Sequence, residues 1–253
     1  MTVGVAPPRA ALVWLGFYGA VLLAWACLLA LVWADPAVGG LGGALCRNAA
    51  QAGFGTLAAM WALMAAAMML PTFVPALQTY LSLSATGAAD GRGAVALVAG
   101  YLTVWLGVAV LGAFAQGALA RTGTVGLQGS GVSGWGAAGL LAAAGLYQFS
   151  AFKAACLAHC RMPLTFFIGR WRPGWPRAFR MGAELGALCL GCCWALMALA
   201  LVGGAMNLAW MGAATLFMVL EKLPEIGRHI STPAGWGLVG AAVVQAGRAA
   251  GWI

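Results

Sequence analysis

Long apolar runs, separated by short polar stretches, dominate the chain. They lie at roughly 10–34, 50–84, 93–118, 135–160, 181–203 and 206–220, with a shorter Gly-rich run at 234–247. A helix crosses a bilayer with about 20 apolar residues, whereas membrane β-strands alternate polar and apolar positions over about ten. The pattern therefore predicts an all-α polytopic membrane bundle of six to seven transmembrane helices, forming a single integral membrane domain over 1–253. The last run is either a seventh span or an interfacial helix.

Prolines and a glycine-rich segment interrupt this pattern. Pro71 and Pro75 fall inside the second run, where each proline removes a helical hydrogen bond and favours a kink. The Gly/Ser/Thr-rich segment from Thr122 to Gly134 predicts a loop. The first run is too long for the apolar core of a signal peptide, so we expect a retained first helix.

Composition excludes several soluble classes of protein. Of the 253 residues, 63% are hydrophobic and only 7% are charged, whereas about 25% are charged in ordinary soluble domains. Such a chain has too little polar material to cover a soluble fold. A soluble enzyme, a nucleic-acid-binding protein and a disordered chain are therefore excluded as primary interpretations, and we expect the lipid bilayer, not nucleic acid, as the partner.

The net charge of +8 is then an orientation signal. With six spans, most basic residues lie on the side of the N-terminus, namely Arg9, Arg92, Arg161, Arg170, Arg172, Arg177, Arg180, Lys222 and Arg228. Only Arg47 and Arg121 lie on the opposite side. Basic loops of membrane proteins stay in the cytoplasm. The N-terminus and the loop carrying Arg170 are therefore predicted to be cytoplasmic.

Sulfur-bearing residues cluster in the same runs. The chain has seven Cys and eleven Met residues. Two sets follow the i, i+4, i+8 spacing of one helical face: Met60, Met64 and Met68, and Cys189, Cys193 and Met197. Further candidate metal ligands nearby are Met69, Cys156, His159, Cys160, Cys192, Met206 and Met211. Thiolates and thioethers prefer Cu(I), although a thiolate cluster alone also suits zinc. We therefore predict a copper site.

Each sulfur pattern also has a structural interpretation. Methionine fills irregular gaps in helix packing, and a cysteine behaves as a small hydrophobe. Cys27 and Cys46 are isolated in the sequence, and we expect both to be structural. Neighbouring cysteines on a helix are expected to point apart, which makes Cys192 and Cys193 a poor disulfide pair.

Charged residues within the apolar runs are the second candidate feature. Lys153 and Glu184 lie near helix ends on the same predicted side, and we expect them to pair. Lys153 also lies one turn before Cys156, where its charge would favour the thiolate. Glu221 and Glu225 are four residues apart. They are expected either to attract a cation or to belong to a snorkelling cluster with neighbouring bases.

Motifs of catalysis are absent from the sequence. It contains no G-x-S-x-G elbow, no phosphate-binding loop and no H-E-x-x-H helix. With two histidines, the chain is also poorly supplied for haem or di-iron chemistry. We therefore predict a protein that is not an enzyme.

Three stretches in order carry a family resemblance. They are MWALMAAAMMLPTFVP (60–75), YQFSAFKAACLAHCRMP (147–163) and ELGALCLGCCWALMALALVGGAMNLAWM (184–211), followed by Glu221 and Lys222. Over roughly 55–225 the chain resembles the family of predicted metal-binding integral membrane proteins, which includes membrane copper chaperones encoded with bacterial tyrosinases. The resemblance implies a bacterial inner-membrane protein that handles copper and delivers it to a copper enzyme. The positions it carries over are Met60, Met64, Met68, Met69, Cys156, His159, Cys160, Cys189, Cys192, Cys193, Met206, Asn207 and Glu221.

These observations combine into a Cu(I) relay hypothesis. The five clustered cysteines are predicted in the cytoplasmic half of the bilayer, Met197 near mid-depth, and Met60, Met64 and Met206 in the outer half. Copper would pass from tight thiolate sites to weaker thioether sites and then to a client copper enzyme or an accessory membrane protein. Two alternatives stay open, a thiol-redox membrane protein and a structural subunit of a membrane complex without metal.

Overall fold

The computed structural model describes residues 8–33, 53–85, 91–121, 132, 134–171, 174–203 and 207–252. The helices in this part of the chain are α1 (Pro8–Trp33), α2 (Phe54–Ala85), α3 (Gly91–Arg121), α4 (Gly134–Gln148), α5 (Ala151–Arg161), α6 (Pro163–Arg170), α7 (Trp175–Ala198), α8 (Ala200–Gly203), α9 (Leu208–Lys222) and α10 (Pro224–Ala249). The predicted all-α class is confirmed. The predicted loop from Thr122 to Gly134 lies mostly outside the described residues.

Four helical stretches in the described part are long and apolar enough to cross a bilayer. They are Ala10–Ala30, Phe54–Leu83, Arg92–Arg121 and Trp175–Val202. A fifth is obtained if α4 and α5, which meet at an angle of 64°, are counted as one broken span. Four to five candidate spans are thus found, and the predicted count of six to seven is not confirmed.

The run at 135–160, predicted as one helix, is broken between α4 and α5. The Ser150 hydroxyl accepts a hydrogen bond from the Lys153 backbone N–H at 3.0 Å and caps the start of α5. The bend lies inside an apolar run, so hydrophobicity gives no sign of it. Neither proline nor glycine lies at the bend to mark the break.

The last two runs also differ from the prediction. The run at 206–220 corresponds to α9, which has 15 residues. This helix ends beside the middle of α7, where Lys222 contacts Cys189. The run at 234–247 is part of α10, which begins at Pro224 and continues through Pro233. This helix packs antiparallel to α4, so it is a long packing element rather than a short terminal segment.

The second run forms one continuous helix through both of its prolines. Pro71 has no N–H, so the Ala67 carbonyl lacks its usual helical donor. The Trp25 indole donates to that carbonyl at 3.1 Å and thereby ties α1 to α2. A proline in α2 therefore creates an acceptor for a neighbouring helix.

Helices α3 and α7 pack in very close contact and run parallel. A Cβ atom on Gly182 would collide with the Leu97 carbonyl oxygen, and one on Gly186 would lie 3.0 Å from the Val104 Cβ atom. Small residues permit this approach, as in membrane helix pairs. The close packing brings Tyr101 of α3 against the sulfur-bearing face of α7.

Large apolar side chains remain exposed on the outer faces of several helices. Leu15, Leu111 and Val243 are 71%, 69% and 68% exposed. An exterior with many exposed apolar side chains is unfavourable in water and favourable in lipid. The helices are therefore compatible with membrane insertion.

Candidate metal site

Three cysteine side chains of α7 converge in the core of the bundle. The Sγ atoms of Cys189, Cys192 and Cys193 all lie within 4.8 Å of one another, and each residue is 1% exposed. The Cys192 thiol donates to the Cys189 carbonyl at 3.2 Å, which folds it back over the preceding turn. Its sulfur thus comes within 3.2 Å of the Cys193 sulfur, and the expectation that these neighbours point apart is wrong.

Two further cysteines reach this cluster from α5. The Cys160 Sγ atom lies 4.0 Å from the Cys192 Sγ atom and is half-buried. Cys156 packs directly over Gly191, where an added Cβ would lie 2.6 Å from its sulfur. The bend before α5 and the missing side chain at Gly191 therefore bring both cysteines against α7.

Polar groups from three other helices surround Cys189. Its sulfur lies 3.1 Å from the Lys222 ammonium of α9, 3.1 Å from the Tyr101 hydroxyl of α3 and 3.9 Å from the Thr72 hydroxyl of α2. Phe73 stacks on the Tyr101 ring with the centroids 4.2 Å apart. The sulfur is thus placed in a polar environment inside an apolar bundle.

Backbone carbonyls of α2 hold these polar groups in position. The Met69 carbonyl accepts from the Tyr101 hydroxyl at 3.1 Å and from the Thr72 hydroxyl at 2.8 Å. The Thr72 carbonyl accepts from the Lys222 ammonium at 3.2 Å. Sequence reasoning missed Lys222, Tyr101 and Thr72 as site residues. Lys222 could have been found from its position at the end of an apolar run. An ionisable residue within a membrane segment is costly to bury and often belongs to a functional site.

A second polar cluster lies beside the first and corrects the expected pairing of Lys153. Its ammonium lies 2.8 Å from the Glu221 Oε2 atom, and the two side chains are 2% and 1% exposed. Glu184 instead forms surface ion pairs with Arg170 at 3.4 Å and Arg180 at 3.3 Å. Lys153 therefore neutralises a buried carboxylate on a distant segment of the chain, not Glu184.

The remaining Glu221 contacts also exclude a snorkelling arrangement. Its Oε1 atom accepts from the Gln148 amide at 2.6 Å and from the Ser231 hydroxyl at 2.9 Å. Glu225 is exposed. Because α9 ends at Lys222, the spacing of four residues between Glu221 and Glu225 crosses a helix boundary and does not place them on one helical face. The two glutamates thus do not form one acidic site.

The other candidate ligands occupy different surroundings. Six of the candidate methionine ligands are buried in the core, namely Met60, Met64, Met68, Met69, Met197 and Met211. His159 is exposed, with its Nδ1 atom 3.0 Å from the Ala155 carbonyl one turn back on α5. Cys27 is half-buried in α1. Met206 and Cys46 lie outside the described residues. The full ligand set stays a prediction.

The fold and the site define a class: an all-helical protein with helices compatible with membrane insertion and a buried three-cysteine cluster suited to a metal ion. The family model of the PpoB2 copper chaperones matches residues 58–245, and the chain belongs to this family. Membership implies a non-enzymatic role and a client copper protein. No curated protein and no solved structure matches the chain. The matched range includes the whole thiol cluster.

Proposed function

We propose that this protein is an integral membrane copper chaperone that holds Cu(I) at Cys189, Cys192 and Cys193 and delivers it to a copper enzyme. One observation carries the proposal. Three buried sulfurs lie within 4.8 Å of one another inside the region matched by a copper chaperone family. Soft thiolate ligands favour Cu(I). No described carboxylate or histidine belongs to this group, so it offers little to a hard cation.

Burial of the cluster also fits Cu(I). A cation in an apolar interior is costly unless its charge is compensated. Thiols that lose their protons on binding supply that compensation, since the thiolate is the metal-ligating form. Burial keeps water away from the bound ion.

A transfer route through neighbouring sulfurs is part of the proposal. Cys160 is half-buried and 4.0 Å from Cys192, so it is suited to receive copper before the fully buried cluster does. Cys156 is the adjoining thiol of α5. The thioethers and the remaining proposed ligand would serve later or weaker sites, and they are Met60, Met64, Met68, Met69, Met197, Met206, Met211 and His159. Glu221 is left out of this set, because Lys153, Gln148 and Ser231 occupy its carboxylate. Thioethers bind without adding charge, which favours release.

The proposed setting is the bacterial inner membrane with the N-terminus in the cytoplasm. Cys189 follows the half-exposed Glu184 by five residues, or about 7.5 Å along α7. Glu184 itself is paired with two arginines near the start of that helix. The thiol cluster therefore begins near the middle of α7, and a cytoplasmic supply of Cu(I) would approach it from the basic end of the bundle.

Copper retention tests the proposal. The protein, purified anaerobically in detergent after loading with Cu(I), is expected to retain copper that the triple variant C189S/C192S/C193S loses. The matched control is C27S, because Cys27 lies on α1, away from the cluster. Elemental analysis of copper, zinc and iron measures each outcome.

Four results would count against the proposal. Absence of copper from the wild type contradicts it, as does copper that persists in the folded triple variant. Reversible thiol oxidation without bound metal would favour the thiol-redox alternative. Stable co-purification with one fixed partner, unaffected by the serine substitutions, would favour a structural subunit.

A further inference from the structure

We propose that Lys222 makes the thiol cluster selective for a monovalent soft cation over a divalent one. The inference rests on the proposed function, because it assigns a specificity-determining residue to the same metal site. Lys222 comes from α9, whereas the three clustered cysteines come from α7.

The Lys222 ammonium is fixed directly against a proposed ligand atom. It donates to the Cys189 sulfur at 3.1 Å and to the Thr72 carbonyl at 3.2 Å, and the residue is 5% exposed. The carbonyl holds the ammonium on the side of the cluster that faces α2. A positive charge therefore lies beside the ligands in a position set by the fold.

No acidic side chain among the described residues neutralises this ammonium. The neighbouring Glu221 is occupied by Lys153, Gln148 and Ser231, and none of the three ion pairs in the described part includes Lys222. The Lys153–Glu221 pair has no net charge. Apart from the ligating thiolates themselves, the neighbouring side chains therefore make the field at the cluster positive: the Lys222 ammonium is hydrogen-bonded to a cluster sulfur, and the half-buried Arg161 guanidinium acts on Cys192 from α5.

Repulsion by a fixed charge scales with the charge of the bound ion. A divalent ion at the cluster meets twice the repulsion that Cu(I) meets. At a separation of about 5 Å and an effective dielectric constant of about 20, the additional unit of charge weakens binding on the order of 100-fold. A cluster of thiolates alone also suits Zn²⁺, so the sulfurs by themselves do not make this distinction. Lys222 supplies it.

Metal competition on charge variants tests the inference. The full chain in detergent is equilibrated anaerobically with buffered Cu(I) and Zn²⁺ at fixed free concentrations, and the bound metals are measured. We expect K222L, which removes the charge and adds no metal-ligating atom, to raise the ratio of bound zinc to copper by about tenfold or more. K222R keeps the charge and is expected to preserve the ratio, as is the control R180Q, which removes an exposed cation on α7.

A competition on the unmodified protein covers the case in which K222L does not fold. Ag(I) and Cd²⁺ are both soft ions and differ in charge, so the wild type is expected to retain Ag(I) in the presence of excess Cd²⁺. Comparable retention of the two ions would overturn the inference, and so would an unchanged zinc-to-copper ratio in folded K222L. Loss of both metals from folded K222L would also overturn it, since Lys222 would then be needed for binding itself. A wild type that binds no Cu(I) instead refutes the proposed function.

Discussion

Glu221 and Lys222 are adjacent in the sequence but belong to different polar clusters. Successive side chains on a helix point about 100° apart. The Glu221 carboxylate therefore faces Lys153, Gln148 and Ser231, while the Lys222 ammonium faces Cys189. A charge pair that looks self-neutralising in the sequence is thus divided between a structural network and the proposed metal site.

The buried network around Glu221 should contribute strongly to stability. E221Q keeps the shape of the side chain but leaves the Lys153 ammonium buried without a counter-charge. We expect the free energy of unfolding to fall by about 3–5 kcal/mol, measured by denaturant unfolding in detergent. The control E184Q removes a half-exposed acid and is expected to change the value by no more than about 1 kcal/mol. Equal losses in the two variants would contradict a structural role for the buried pair.

At the scale of elements, the site depends on how closely α3 and α7 approach. α3 contributes Tyr101 and α7 contributes the three clustered cysteines. The backbone contact at Gly182 leaves no room for a side chain between these helices. The helix–helix contact therefore determines the position of Tyr101 relative to Cys189.

A methyl group in that contact should separate the two helices. We expect G182A to lower the free energy of unfolding by about 1–3 kcal/mol, because the new Cβ collides with backbone rather than with a movable side chain. G107A is the matched control, since the outer face of α3 has nothing within 4 Å of that position. Alanine favours a helix over glycine, so G107A is expected to be neutral or stabilising by up to about 1 kcal/mol. Similar thermal unfolding of both variants would show that the contact is looser than described.

At the scale of the whole molecule, the end of the bundle where α7 begins carries the basic side chains Arg170, Arg177 and Arg180. Arg177 lies at the start of α7. Trp252 lies at the other end, since Ala249 packs against the start of α4 and the Val132 N–H donates to the Leu201 carbonyl at 3.0 Å. The positive-inside rule then predicts that Arg177 faces the cytoplasm.

Labelling from each side of the membrane tests this orientation. We expect a membrane-impermeant thiol reagent to label R177C in inside-out vesicles and W252C in right-side-out vesicles. The wild type provides the background from native thiols. Interchanged labelling would reverse the proposed orientation, and labelling of both positions from one side would contradict the arrangement of the ends.

Features that depend on local composition could be predicted from the sequence alone. The helical class follows from the apolar runs, and the soft-metal chemistry follows from the sulfur-rich segments that the copper chaperone family model also covers. Cys189 and Cys193 share a face because helical spacing places them there. These properties need no knowledge of which helices are neighbours.

Contacts between distant segments were decided by the tertiary structure. The pairing of Lys153 with Glu221 and the position of Lys222 beside Cys189 both depend on helix packing across the chain. Hydrophobic periodicity records which residues avoid water but not which side chains meet. Apolar runs and sulfur spacing are therefore enough to predict a helical protein with soft-metal ligands, whereas the polar groups around its thiols follow from how α2, α3, α5 and α9 pack against α7. The physical reason is that a buried charge takes its partner from whichever helices pack around it.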